Sequence, residues 1–114
     1  MSEPRTTESH ENRCVREEYP SGWLVLARNE SVAKIVDALL DLPPRRECNQ
    51  SELAEQAGVS RQSVSRHLDL LVHIGVLEPV QNTSPQRYRF DPTSDVSRAI
   101  VELDGAMNAA GPGA

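Results

Sequence analysis

The sequence predicts a mainly α fold of the α+β class: a three-helix core that carries a β-hairpin and is followed by one further helix. Three observations support it. Apolar residues recur at helical spacing, a glycine turn separates two of the helical segments, and the pattern then changes to the alternation typical of strands. A chain of 114 residues suffices for one small domain and is too short for a sensor domain beside it.

The first core helix is predicted from about Glu30 to Leu42, because apolar residues repeat there at intervals of three and four. Asn29 is placed to cap it. The preceding apolar run, Trp23 to Leu26, is too short to classify as helix or strand. Pro43 and Pro44 follow the helix, so any strand before the second core helix is expected to be displaced or very short.

The second core helix has a well-marked start and end. Asn49 and Glu52 have the spacing of a capping box, in which each side chain accepts from the backbone amide of the other. Leu53 and Ala54 are expected to face inward. Gly58 ends the helix in a left-handed conformation, which glycine adopts at little cost.

The third core helix begins at its cap, Ser60, and stops at Gly75. Val64, Leu68 and Leu71 form its buried seam. At about 100° per residue, a polar face lies opposite that seam. This face contains Gln62, Arg66, Asp69 and His73, with Ser63 and Ser65 on its flanks.

The polar face carries the residue types that read DNA bases. Arginine suits guanine, glutamine suits adenine, and serine can serve either base. Arg66, Gln62 and Ser63 supply these types in the first two turns, the part of a recognition helix that reaches deepest into the major groove.

A β-hairpin is predicted after Gly75, with strands Val76 to Gln81 and Arg87 to Phe90 joined by the turn NTSPQ. Pro79 has no amide donor, so its strand is expected at an edge of the sheet. The aromatic residues of the returning strand point to the core, and Arg87 and Arg89 point together to the other face. Two outward arginines suggest a phosphate clamp.

The stretch SELAEQAGVSRQSVSRHLDLLVHIGVLEPV, followed by a hairpin, resembles the winged helix-turn-helix of ArsR- and MarR-type bacterial and archaeal transcription regulators, over roughly residues 29–91. Those families bind double-stranded operator DNA as homodimers. The resemblance implies that bases are read by Gln62, Ser63 and Arg66. The residues expected at the DNA backbone are Gln50, Ser60, Arg61, Ser65, Arg87 and Arg89.

Two alternatives remain open at this point. A polar helix face with two arginines is ordinarily just solvated. Winged helices also serve as protein-interaction modules in transcription and plasmid-maintenance machinery, where the fold contacts a partner chain instead of a groove.

A C-terminal helix is predicted within residues 93–108, after a winged-helix domain at 21–92. Its apolar residues line one narrow stripe, the pattern of a helix that pairs with another helix, so a homodimer is expected. The alternative is that this helix folds back on its own domain. The stripe comprises Val96, Ile100, Leu103 and Met107. Residues 1–20 are expected to form a disordered acidic tail and 109–114 a frayed end.

A net charge of −5 by itself argues against DNA binding, but the charges are unevenly distributed along the chain. Within residues 60–90, four arginines face Asp69 and Glu78, which leaves that segment net positive by two and the rest net negative by seven. Lys34 is the only lysine beside eleven arginines. This acid-rich, lysine-poor balance is typical of salt-loving organisms such as haloarchaea, and we keep a halophilic origin as a hypothesis.

No motif predicts catalysis, a cofactor, a small-molecule substrate or a membrane span. The sequence contains no phosphate-binding glycine loop, no metallohydrolase histidine pair and no nucleophile with an evident base. Some ArsR-type repressors bind metals through cysteines, but Cys14 and Cys48 belong to no ligand cluster, so two reduced thiols and no metal are expected. A cytoplasmic protein is predicted, because the N-terminus lacks the apolar core of a signal peptide.

Overall fold

The computed structural model describes residues 22–113, so the expected acidic tail, residues 1–20, lies outside the described residues. The described residues divide into two units, one that ends at Ala33 and one that begins at Lys34. Within the described part, five helices and three strands follow one another in an order that matches the predicted α+β winged helix-turn-helix.

The described part of the first unit contains helix α1 (Leu24–Ala27) and the start of helix α2 (Glu30–Asp41). In the apolar run that sequence patterns left unclassified, Leu24 to Leu26 are therefore helical, and Trp23 is the N-cap residue of this helix. Asn29 caps α2 as predicted: its Oδ1 accepts from the amides of Ser31 at 2.8 Å and Val32 at 3.4 Å. These bonds satisfy two amides that have no partner within the helix.

In the second unit, α2 supplies four buried side chains, Ile35, Val36, Ala38 and Leu39. A turn follows, closed by a hydrogen bond from the Arg46 amide to the Pro43 carbonyl at 3.2 Å. Strand β1 (Glu47–Cys48) is only two residues long, which confirms that the prolines leave room for a very short strand at most.

The helix-turn-helix consists of α3 (Gln50–Ala57) and α4 (Arg61–His73). The capping box at the start of α3 is present, with both hydrogen bonds between Asn49 and Glu52 at 2.9 Å. Gly58 ends α3 in the left-handed conformation, at φ 71°, as predicted. The predicted interior residues of both helices are buried: Leu53, Ala54, Val64, Leu68 and Leu71.

The three strands form an antiparallel sheet in the order β1-β3-β2, where β2 is Leu77–Val80 and β3 is Arg87–Phe90. Pro79 lies on the edge strand β2, as predicted, opposite Tyr88 of β3. On the other face, Arg89 stands between Glu47 of β1 and Glu78 of β2. Across the three strands, one face of the sheet thus carries the row Glu47, Arg89 and Glu78, in which the charges alternate in sign.

Helix α5 (Asp95–Ala110) begins two residues later than predicted, because Ser94 caps it through a bond from the Ser97 amide at 3.1 Å. It also continues two residues past the predicted end, so Ala109 and Ala110, expected to be frayed, are helical. The Ser97 side chain is fully buried, and its hydroxyl donates to the Gly75 carbonyl at 3.3 Å. The start of α5 is therefore fastened to the turn between α4 and β2.

Candidate nucleic-acid interface

The N-terminus of α4 has the electrostatic character of an anion-binding site. Ser60 caps it, accepting from the Ser63 amide at 3.0 Å, and the first turn contains no acidic residue. The amide dipoles of a helix leave a partial positive charge at this end, and Arg61 in the first turn adds a full one. A phosphate group near this terminus would therefore be stabilised.

The predicted polar face of α4 is exposed. Gln62, Ser65 and Arg66 are open to solvent, and Ser63 is half-buried beside them, while the apolar seam on the opposite side is buried. Within residues 22–113, Arg61, Gln62 and Arg66 make no hydrogen bond or ion pair through their side chains. Their donors and acceptors are therefore available to a partner molecule.

Asp69 is exposed on the same face, one turn after Arg66. A carboxylate there repels phosphate, so an anionic partner would be disfavoured beyond the first two turns of α4. The usable surface is the segment from Ser60 to Arg66.

His67 is half-buried next to this surface. Burial lowers the pKa of its imidazole, and the positive charge of Arg66 lowers it further. Both effects disfavour the protonated form in the folded protein.

This depressed pKa predicts a pH dependence of stability. Because the folded protein binds the proton on His67 less readily than the unfolded chain, the contribution of His67 is complete above about pH 6.5 and is lost as the pH falls through the folded-state pKa. Urea unfolding at a series of pH values is expected to show a smaller acid-side loss in His67→Gln than in the parent. His73→Gln, an exposed site on the same helix, is the control. Parallel pH profiles for the parent and His67→Gln would contradict the expectation.

The arginines of the hairpin are engaged in ion pairs within the protein. The Arg87 guanidinium donates to the Glu52 carboxylate at 3.0 Å and to the backbone carbonyl of Glu47 at 2.9 Å. Arg89 donates to Glu78 at 2.8 Å and lies 3.9 Å from the Glu47 carboxylate. The two guanidinium groups share the predicted face, but each already has a carboxylate partner.

These ion pairs change the charge of the candidate surface. A count over residues 60–90 gives a net charge of plus two, yet it leaves out Glu47 and Glu52, which the fold brings against the hairpin arginines. With them included, four arginines face four carboxylates. The accessible positive charge is therefore at Arg61 and Arg66 on α4, a distribution that no window of the sequence shows.

The turn of the hairpin, residues 81–86, is organised by two side chains that sequence patterns did not single out. The Thr83 hydroxyl donates to the Val80 carbonyl and accepts from the Arg87 amide, both at 2.9 Å. The Gln86 side-chain amide donates to the same Val80 carbonyl at 2.8 Å. The motif NTSPQ predicts a turn, but it does not predict which of its side chains form the hydrogen bonds that stabilise the turn. The exposed polar tip includes Gln81, Asn82 and Ser84.

No group of three or more His, Cys, Asp or Glu residues that could hold a metal ion occurs between residues 22 and 113. Cys14 lies outside the described residues. Cys48 is buried and free, and burial raises the pKa of its thiol, against a smaller opposing effect from the charge of Arg46. The thiol is thus held in the protonated form, which is a poor metal ligand and nucleophile.

Comparison with known proteins identifies the domain. Residues 29–78 match the model of the family described as "Bacterial regulatory protein, arsR family". Residues 29–78 therefore form a helix-turn-helix domain of the ArsR type. The matched segment runs from the Asn29 cap to Glu78 in β2, so it includes α3 and α4, the two helices of the helix-turn-helix. None of the curated proteins compared with the chain matches it.

The ArsR-type domain makes this protein a DNA-binding transcription regulator. Regulators of this type act by binding, and typically not by catalysis. None of the helices between residues 22 and 113 combines the length and apolar character needed to span a bilayer.

Proposed function

We propose that the protein is a sequence-specific regulator that binds operator DNA as a homodimer, with α4 in the major groove and the hairpin beside the backbone. The observation that carries this proposal is the unpartnered polar face at the start of α4, where the side chains of Arg61, Gln62 and Arg66 are exposed and make no hydrogen bond or ion pair within the described chain. Such donors are what base edges and phosphates require. A regulator of chromosomal DNA would act in the cytoplasm.

We divide the contacts by position and chemistry. Bases are read by Gln62, Ser63 and Arg66, which lie on the outward side of the first two turns. Backbone phosphates are held near the N-terminus of α4, where the amide dipoles and the charge of Arg61 favour anions, and by the polar side chain of Gln50 at the start of α3. The residues assigned to the backbone are Gln50, Ser60, Arg61, Ser65, Arg87 and Arg89.

The hairpin arginines play the smaller part in this proposal. A phosphate oxygen reaches Arg87 or Arg89 only by sharing or displacing a carboxylate at 3.0 or 2.8 Å. An exchange of one anionic partner for another yields less net binding energy than a contact to an unpaired guanidinium, because the existing pair must be broken. The α4 arginines therefore dominate the electrostatic part of the affinity.

Selection of bound sequences from a random duplex pool, followed by footprinting, tests the proposal. A homodimer is expected to enrich an inverted repeat whose half-sites lie about one helical turn, roughly 10 base pairs, apart. Recovery of unrelated sequences with equal affinity would contradict sequence-specific reading. It would favour the alternative in which the winged helix binds a protein partner.

The homodimer is proposed to form through α5. Leu103 and Met107 are 45% and 61% exposed, whereas Ser97 is fully buried against the chain's own domain. At about 100° per residue, Leu103 lies about 120° around the helix from Ser97. Val96 and Ile100 are half-buried at the start of the stripe. The first turns of α5 thus pack on their own domain, and the later turns leave an apolar strip for a second copy.

A charge placed on this strip is expected to weaken the dimer. Met107→Glu puts an unpaired carboxylate into the proposed interface and should raise the dimer dissociation constant by about tenfold or more. The matched control is Ala109→Glu, two residues away on the opposite side of α5. Sedimentation velocity over a concentration series measures both variants. Equal effects of the two substitutions would contradict an interface on the strip.

A further inference from the structure

A cleft of about 690 Å³ lies in the second unit, away from the exposed face of α4. It is bounded by the end of α2, the turn that leads to β1, the end of β3 and one side of α5. Its apolar walls include Leu42, Pro44, Phe90 and Val101. The volume falls within the range of sites that take small organic molecules.

The cleft also carries unpaired positive charge. Arg45 and Arg46 line it and are exposed, and their side chains make no hydrogen bond or ion pair within the described part of the chain. The carboxylates that line it have partners already: Glu78 accepts from Arg89 at 2.8 Å, and Asp91 accepts from the Thr93 hydroxyl at 2.7 Å. Asp104 accepts from Asn108 at 3.4 Å. Of these carboxylates only Glu78 is paired with a cation, and the three arginines and three carboxylates that line the cleft give it no net charge. An anionic ligand would therefore be held by the two neighbouring guanidiniums of Arg45 and Arg46, which have no partner, and not by the overall charge of the cleft.

The backbone of Arg45 is held in an unusual conformation. Its φ of 65° lies in the left-handed region, which a residue with a long side chain rarely adopts. Glycine or asparagine would meet this turn at lower cost. Strained positions of this kind cluster at ligand sites, where the conformation aims a side chain.

We propose that this cleft binds a small organic anion, a carboxylate or sulfonate attached to a compact apolar body. The guanidinium fork of Arg45 or Arg46 matches the two oxygens of such a group, and the leucine, proline and phenylalanine walls bury its body. On α5 the cleft is lined by Val101 and Asp104, which lie about 120° and 60° around the helix from Met107, so the site opens beside the proposed dimer strip and not on it. Ligand binding here does not depend on the proposed DNA contacts and is tested without DNA.

The test uses two fluorescent probes that differ in charge. 1-Anilinonaphthalene-8-sulfonate is the anionic probe, and N-phenyl-1-naphthylamine is its neutral counterpart. The full chain is expected to bind the sulfonate saturably at one site per chain. The double variant Arg45→Gln, Arg46→Gln should bind it about tenfold more weakly or worse, with little change for the neutral probe, because only the charge-assisted bond is lost.

Two control variants locate the bound probe. Arg98→Gln removes an arginine that pairs with Asp95 on α5, outside the cleft, and should leave affinity unchanged. Met107→Glu should also leave it unchanged. The proposal is overturned if the double variant binds the sulfonate as well as the parent, if both probes weaken alike, or if Met107→Glu abolishes binding, which would place the probe on the apolar strip.

Nuclear magnetic resonance locates the bound sulfonate in the parent protein, without any substitution in the strained turn. Titration of the sulfonate into isotopically labelled parent protein is expected to shift the backbone amide resonances of Phe90 and Val101, which line the cleft from two elements. The amides of Gln62 and Arg66 on the exposed face of α4 serve as the internal reference. Shifts confined to α4 or to the end of α5 would overturn the assignment.

Discussion

Replacing Gly75 with alanine is expected to lower the free energy of unfolding by about 2–4 kcal/mol, the sum of a left-handed strain and an overpacked contact. Gly75 has a φ of 88°, and a Cβ built there lies 2.9 Å from Ser94 Cβ. Ser94 cannot move aside freely, because its hydroxyl caps α5. Urea unfolding followed by circular dichroism measures the loss.

Gly58→Ala is the matched control for this prediction. Gly58 also has a positive φ, 71°, but nothing lies within 4 Å of a Cβ placed there. Its replacement should therefore cost only the backbone strain, about 1 kcal/mol. Equal losses at the two positions would show that the contact with Ser94 is unimportant.

A second substitution isolates the contact itself. Ser94→Gly removes the side chain that the new methyl group meets, and glycine is a tolerable helix cap. In the Ser94→Gly background, Gly75→Ala should therefore cost about as much as Gly58→Ala does, so the double-mutant cycle should give a coupling of about 1–3 kcal/mol. A cycle without coupling would assign the whole effect to the backbone of Gly75.

The largest effect on DNA binding is expected from Arg66→Ala. Loss of a bidentate contact from arginine to guanine weakens binding to the selected site by about 1–3 kcal/mol, or roughly 5- to 150-fold. Folding should be unaffected, because the Arg66 side chain is exposed and makes no hydrogen bond or ion pair within the described chain. Fluorescence anisotropy with the selected duplex and a scrambled duplex, at one potassium chloride concentration, measures both affinity and preference.

The comparison with Arg61→Ala separates the two proposed roles. Arg61 is assigned to phosphate, so its loss should weaken binding to both duplexes by the same factor and leave the preference unchanged. Arg98→Ala, at an exposed position on α5, controls for the loss of one positive charge. If Arg66→Ala and Arg61→Ala reduced both affinities alike, the division between base and backbone contacts would be wrong.

Arg87 is a poor probe of phosphate binding because of its place in the fold. Its guanidinium bonds to Glu52, and the same Glu52 oxygen accepts from the Asn49 amide in the capping box of α3. Arg87→Ala would remove a bond from β3 to α3 as well as any contact to DNA. A change in affinity at this position therefore requires a stability measurement on the same variant before it is interpreted.

The parts of the fold that the sequence alone determined are local. The capping box of Asn49 and Glu52, the left-handed Gly58 and the Ser60 cap each depend on bonds between residues no more than a few positions apart. The exposed face of α4 follows from helical periodicity for the same reason. Short-range hydrogen bonds and a fixed rotation per residue leave a pattern in consecutive residues, so these features could be predicted.

Tertiary structure alone decided which charges remain free. Glu47 and Glu52 lie some 35 to 40 positions before Arg87, yet their carboxylates pair with it, so within the candidate interface the accessible positive charge is at Arg61 and Arg66. The buried Ser97, bonded to Gly75 across 22 positions, likewise decided which side of α5 stays open. Pairing between distant residues depends on how the elements pack, and packing leaves no periodic signal in the order of residues.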